Sequence, residues 1–345
     1  MAYATINKPS DYFNTVLYTG NGTTQSITGV GFQPDWTWIK ERSSTSGHEV
    51  YDSTRGATKF LSPNATDVEG TNASALTSFD SDGFSVGSGG AVNENSQTYV
   101  GWNWKANAGS TSSNTDGSIT STVQANTTAG FSIVTYTGTG SNATVGHGLG
   151  KALKFLIVKD RDAAEGWIIN SQILTGNTNG GLHFATDAEY TGSSNQFQAT
   201  NPTSSVFYIG TAGNVNNSSQ KYVAYCFAEI EGYSKFGKYI GNGSTDGQFV
   251  YTGFKPAFLI IKRTDSANHW LLFDVKRDAF NVGDKWLRAN STDVESTGIY
   301  WDGLSNGFKA RTSDPIINAS GGTYIYMAFA ENPLVGTNGI PATAR

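Results

Sequence analysis

Four landmarks recur three times along this chain, in the same order and at nearly constant spacing. Tyr18-Thr19-Gly20-Asn21-Gly22 leads to Gly31-Phe32-Gln33-Pro34 and then Trp36-Thr37-Trp38-Ile39-Lys40. Tyr136-Thr137-Gly138-Thr139-Gly140 leads to Phe155-Leu156-Ile157-Val158-Lys159, and Tyr239-Ile240-Gly241-Asn242-Gly243 leads to Phe258-Leu259-Ile260-Ile261-Lys262. The later halves match too. Phe84, Phe207 and Phe308 each open a short strand, and Tyr99, Tyr222 and Tyr324 open a longer aromatic-rich one 15, 15 and 16 residues on. Repetition of this kind has to be settled before any fold is considered. It divides the chain into three units of about 100 residues, within the common domain range of roughly 50–200.

The spacing predicts a 1–12 arm, unit 1 over 13–107, a Ser/Thr/Gly-rich linker over 108–130, unit 2 over 131–232, unit 3 over 233–333 and a tail over 334–345. Within the linker, the alternation of Ser118 to Val123 suggests an extra strand. Units 2 and 3 meet with almost no linker and are expected to pack as a rigid pair, with unit 1 hinged against them. The fold class is all-β: three tandem antiparallel β-sandwiches, one per unit. Forty-one glycines, 12% aromatic residues and 15% charged residues support short strands and many turns. Trp36 and Trp38 share one face of their strand and Ile39 lies on the other, because side chains alternate with period two. Phe155 and Ile157 with Val158, and Phe258 and Ile260 with Ile261, repeat this. A strand apolar on both faces is central and covered on both sides.

Charge limits the partners. The net charge is −5 and no Lys/Arg run occurs, which argues against nucleic acid gripped by a basic surface. No stretch reaches 18 apolar residues, so no membrane insertion is expected. The N-terminus lacks a signal peptide's apolar segment. The single cysteine, Cys226, allows no disulfide within the chain.

Candidate chemistry is sparse. His48, His147, His183 and His269 form no HxH or HExxH pattern. Asp52 with Arg55, and Asp274 with Arg277, read as ion pairs that brace loops, and unit 2 has Asn170 and Leu174 in that region. Asp80 and Asp82 resemble the start of a calcium loop, but position 12 is Ala91 where such a loop needs Glu. A tight turn is the alternative. The Gly-Asn-Gly and Gly-Thr-Gly turns join strand to strand and so are not phosphate cradles. Gly and Asn there supply positive φ for a hairpin. No catalytic residue, metal ligand or cofactor is expected.

Two groups of residues carry a family resemblance. One runs from Asp116-Gly117-Ser118-Ile119 through Ala129-Gly130-Phe131-Ser132-Ile133-Val134-Thr135-Tyr136-Thr137-Gly138 to Gly146-His147-Gly148-Leu149-Gly150. The other runs from Ala224-Tyr225-Cys226-Phe227-Ala228 through Ser234-Lys235-Phe236-Gly237-Lys238-Tyr239-Ile240-Gly241-Asn242-Gly243 to Tyr326-Met327-Ala328-Phe329-Ala330-Glu331-Asn332-Pro333. The chain resembles virion structural or tail-fibre-like proteins of tailed bacteriophages, of the kind found in marine phages. The resemblance implies a component of the virion surface, with sandwich domains of jelly-roll or concanavalin-like type. The single cysteine and the lack of a signal peptide lead to the expectation of synthesis in the host cytoplasm. It carries no assigned site residues, and no coiled-coil shaft is visible in this sequence.

Three functions compete. One is a non-enzymatic tail-fibre or receptor-binding protein, presenting β-domains for host attachment. The second is a capsid decoration or head-fibre protein. The third, a glycan depolymerase, needs a pair of carboxylates at set separation, and no such pair stands out. The expected partners are other virion proteins, docked through the 1–12 arm with Tyr3, Ile6 and Tyr12, two further copies in a homotrimer, and a host glycan or receptor. Host contact is expected at Tyr300 and Trp301 in unit 3. They are adjacent, so at most one faces a core, and unit 1 has Thr77 and its neighbours in that stretch. The alternative for Trp301 is a plug at a domain interface.

Overall fold

The computed structural model describes residues 4–170, 180–186, 188 and 195–335. The Tyr-x-Gly-x-Gly stretch ends the first strand of each unit, and the structure shows why it recurs. A one-turn helix, Gly90–Asn93, Gly213–Asn216 or Pro315–Asn318, sits beneath each turn. Its last residue is a buried asparagine whose Oδ1 accepts from the backbone N–H of Asn21 (2.9 Å), Thr139 (2.8 Å) or Asn242 (2.9 Å). Two tyrosines stack beside each helix at 4.9–5.1 Å: Tyr18 on Tyr99, Tyr136 on Tyr222 and Tyr239 on Tyr324. Their hydroxyls donate to helix carbonyls, so both the rings and the polar tips are satisfied. Gly20, Gly138 and Gly241 have to be glycine here, because a Cβ would lie 2.2–2.3 Å from the carbonyl oxygen of Glu94, Asn217 or Ala319. These turns are not hairpins. In units 1 and 2 each carries the chain from a large sheet to a small one.

The chain is all-β, with antiparallel pairing throughout its sheets. In unit 1 the strand Thr98–Trp104 lies between Phe13–Thr19 and Trp36–Glu41, and His48–Asp52 follows outward. Lys221–Ala228 lies likewise between Phe131–Thr137 and Leu153–Asp160, and Thr323–Pro333 between Ser234–Ile240 and Phe254–Arg263. In unit 1 the small sheet of Gln25–Thr28, Gly83–Val86 and Leu76–Asp80 covers the outer face, and in unit 3 the corresponding strands belong to one continuous eight-stranded sheet.

The two faces of each central strand bury into different cores. Ile39, Val158 and Ile261 point outward into three separate clusters, one per unit. Trp36, Trp38, Phe155, Ile157, Phe258 and Ile260 all point into a single inner cluster shared by the three units. Within it Trp36 stacks on Tyr225 at 4.6 Å, Phe13 on Phe329 at 5.2 Å, and Phe227 meets Phe329 at 6.0 Å. Buried aromatic pairs of this kind contribute about 0.5–1.5 kcal/mol each beyond their area.

This shared core corrects three expectations. Unit 1 is not hinged: its tryptophans pack against units 2 and 3 together. Residues 108–130 are not a free linker. Ser112–Asn114 and Ser121–Asn126 extend the unit 2 sheet, and Asp35 holds the start of the segment by accepting from the N–H groups of Ala106, Ala108 and Gly109. The described part of the 1–12 arm is not a free docking segment either. Ile6 is buried in the inner core, Pro9 is buried, and Tyr12 packs edge-on to Tyr233. Tyr3 and residues 336–345 of the tail lie outside the described residues.

Candidate functional site

Two networks of buried ion pairs lie where the units meet. In unit 1 the Asp52 carboxylate pairs with Arg55, both side chains being fully buried. Arg55 also donates to Glu69 (3.1 Å), and Glu69 receives a two-pronged contact from Arg161 of unit 2 at 2.8 and 2.9 Å. Unit 3 repeats this on unit 1: Arg277 pairs with Asp274 at 2.5 Å and donates to Glu295 (3.1 Å), which Arg42 grips at 2.9 and 2.7 Å. Burial works against the Arg55 and Arg277 charges, yet the surrounding acids outweigh it and hold both pKa values above the usual arginine value. A hydroxyl or indole from the next unit completes each carboxylate. Tyr225 Oη donates to Asp52 Oδ2 at 2.7 Å, and Trp102 Nε1 to Asp274 Oδ2 at 2.9 Å.

Two of the lysines that close the recurring motif, Lys40 and Lys159, belong to the same seams. Lys40 Nζ, fully buried, donates to Thr292 O of unit 3 at 3.3 Å, and Lys159 Nζ to Thr66 O of unit 1 at 3.2 Å. Burial pulls each down to about 8. His48 Nε2 meets Arg288 O at 2.9 Å, Trp167 Nε1 donates to Ser62 O at 2.9 Å, and Trp270 Nε1 to His183 O at 3.1 Å. The contacts are cyclic: unit 1 reaches unit 3, unit 2 reaches unit 1, and unit 3 reaches unit 2.

The third seam differs. Met327 stands where Trp102 and Tyr225 stand in their strands, since Ile260, Trp38 and Ile157 are their respective partners. Thr264 stands where Arg42 and Arg161 stand, since their backbone N–H groups donate to Thr323 O, Thr98 O and Lys221 O respectively, so unit 3 has no arginine at the position that grips the neighbouring glutamate. Asn170 pairs with Leu156, so the position matching Asp52 and Asp274 is residue 171, which, like Leu174, lies outside the described residues.

The expected contact residues lie differently. Trp301 is 2% exposed and packs in the outer core of unit 3, 5.8 Å from Phe273, so it is closed to any receptor. It plugs its own unit and no interface between units. Tyr300 is half-buried, and its hydroxyl donates to Asp314 Oδ2 at 2.6 Å. Period two makes one of this pair face the core, and the core takes the tryptophan. Asp82 accepts from Gly29 N (3.1 Å) and Gly31 N (2.6 Å), while Asp80 accepts from Ser78 and Ser85. Both carboxylates therefore fasten turns. No cluster of three or more His, Cys, Asp or Glu placed to hold a metal occurs among the described residues. Cys226 is buried in the unit 2 core, and burial pushes its thiol well up.

The exposed large apolar residues gather elsewhere on unit 3: Ile240, Phe249, Tyr251, Phe280, Val294 and Ile299, against Leu17 and Val68 on unit 1 among the described residues. Phe249 and Tyr251 are decisive. Val250 between them faces the core opposite Phe308, as Ile27 faces Phe84 and Val145 faces Phe207. At the two flanking positions unit 1 has Ser26 and Thr28, and unit 2 has Thr144 and Gly146. The fold thus has no need of aromatics there, yet unit 3 exposes two, at 42% and 57%. Comparing the three repeats at their outward positions would have found this pair in the sequence.

No curated protein matches the chain. One family profile, described as a domain of unknown function (DUF7483), matches residues 8–333, which spans all three units and the seams between them. The chain belongs to the DUF7483 family.

Proposed function

We propose that this protein is a non-enzymatic structural component of a bacteriophage virion surface, a tail-fibre or receptor-binding protein that presents its β-domains to the host. The observation that carries the reading is the confinement of Phe249 and Tyr251 to unit 3, on strand positions that are Ser, Thr or Gly in the other two units. Exposed aromatics that the fold does not require serve contact, because they offer large area at small entropic cost. The buried ion pairs and lysines support the same reading, since they serve to lock three units into a rigid platform. Rigidity of that kind lowers the ordering cost of attachment. The expectation of a homotrimer rests on the stability that symmetric association gives; here three like units bury one another within one chain, so the further copies of a trimer would add valence.

The test is to add purified protein to susceptible bacteria before infection and to label the protein on particles with gold-conjugated antibody. Slowed adsorption with label on the tail supports the reading. Unchanged adsorption with no label on particles contradicts it.

A further inference from the structure

Tyr251 forms one wall of a cleft of about 280 Å³ at the junction of units 2 and 3. Glu229, Glu231, Lys235, Thr252 and Leu334 are among its other lining residues. The size lies just under the ~300–1,000 Å³ usual for small-ligand pockets, so it suits one or two rings of a larger molecule and no folded partner. Glu229 holds Lys235 at 2.6 Å, which neutralises that lysine. Glu231 is exposed and makes no ion pair among the described residues. The cleft therefore keeps one negative charge, two carboxylates able to accept hydroxyl protons, and an open aromatic face.

From this chemistry we infer that the cleft binds a neutral saccharide, with Tyr251 stacking on the apolar C–H face of a sugar ring and Glu231 and Glu229 accepting from its hydroxyls. An acidic polysaccharide would meet the unpaired Glu231 and be repelled. A purely apolar partner would leave Glu231 desolvated and unpaired, which is costly. A sugar satisfies both surfaces at once. Phe249, one strand position beyond Val250, extends the aromatic track over Gly307, whose missing side chain makes room for its ring. This inference names the ligand class of the attachment reading above and rests on it for biological meaning, but the binding itself can be measured separately.

The experiment uses the full chain on an array of neutral glucan, mannan and galactan oligosaccharides beside uronic-acid and sulfated ones. In parallel it scores binding to intact bacteria before and after periodate, which cleaves sugar vicinal diols. The inference predicts binding to neutral members, at least a tenfold loss in Tyr251→Ala and in Glu231→Ala, no loss in Phe280→Ala, and unchanged melting temperatures, since these side chains are exposed. Preference for the acidic members, or full binding by Tyr251→Ala, would overturn it. No array binding together with cell binding that survives periodate also overturns the saccharide class while leaving attachment standing. Array binding without any cell binding keeps the saccharide site and removes the attachment reading.

Discussion

Trp102 Nε1 donates to Asp274 Oδ2 at 2.9 Å, and the Arg277 guanidinium lies 5.5 Å over the same indole ring. One side chain of unit 1 thus completes the buried ion pair of unit 3. Tyr225 does the same for Asp52 and Arg55, one seam further round. Because every group in these pairs is buried and hydrogen-bonded, removing one partner leaves an uncompensated charge. Asp274→Ala and Asp52→Ala are each expected to cost about 3–5 kcal/mol, measured by urea unfolding. Tyr225→Phe keeps the ring and removes one donor, and should cost about 1–3 kcal/mol.

His48 gives the stability a pH dependence. Its Nδ1 accepts from Trp38 Nε1 at 2.8 Å, so the ring is neutral with its proton on Nε2, facing Arg288 O. Burial, with the nearby Lys40 and Arg277 charges, pulls the pKa from 6.5 to about 3. Between those values the unfolded chain binds a proton and the native chain does not. His48's contribution is therefore complete above pH 6.5 and lost as pH falls toward 3. His48→Gln should flatten the stability–pH curve by up to about 1.4 kcal/mol per pH unit near pH 4–5.5. An unaltered slope in a folded variant would refute this.

Trp301→Ala should lower stability by about 3–5 kcal/mol, the cost of emptying a large buried site, and so reduce the melting temperature. Tyr300→Phe should change stability by about 1 kcal/mol, the loss of one half-buried hydrogen bond to Asp314. Thermal melts of both variants check the pair, and equal small effects would place Trp301 outside the core.

Ile6→Ala should destabilise the chain by about 2–4 kcal/mol, because the side chain fills the inner core shared by three units. Chemical denaturation measures it. A variant as stable as the parent would restore the idea of a free arm.

Much of this was legible in the sequence, and the reasons it stopped are physical. Period two placed Trp36 and Trp38 opposite Ile39, and both faces are indeed buried. It reports that a face is apolar but not what covers it, so the inner core shared by three units looked like three separate ones. Lys40, Lys159 and Lys262 stood out as landmarks. A lysine at a strand end reads as solvated, whereas these are buried, and Lys40 and Lys159 cap carbonyls of the next unit. Asp52 with Arg55 was visible at a spacing of three. Glu69 and Glu295, which tie those pairs to neighbouring units, sit in loops without pattern. Ile6 is one apolar residue in a short segment, which gives no period to read.

The central claim is that three units joined through one aromatic core and buried seams form a single cooperative body. Differential scanning calorimetry of the full chain tests it directly. The account predicts one transition, with calorimetric and van't Hoff enthalpies equal, and predicts that Asp52→Ala and Asp274→Ala each move that whole transition downward. Separate transitions for the units, with Asp52→Ala shifting only one of them, would contradict it.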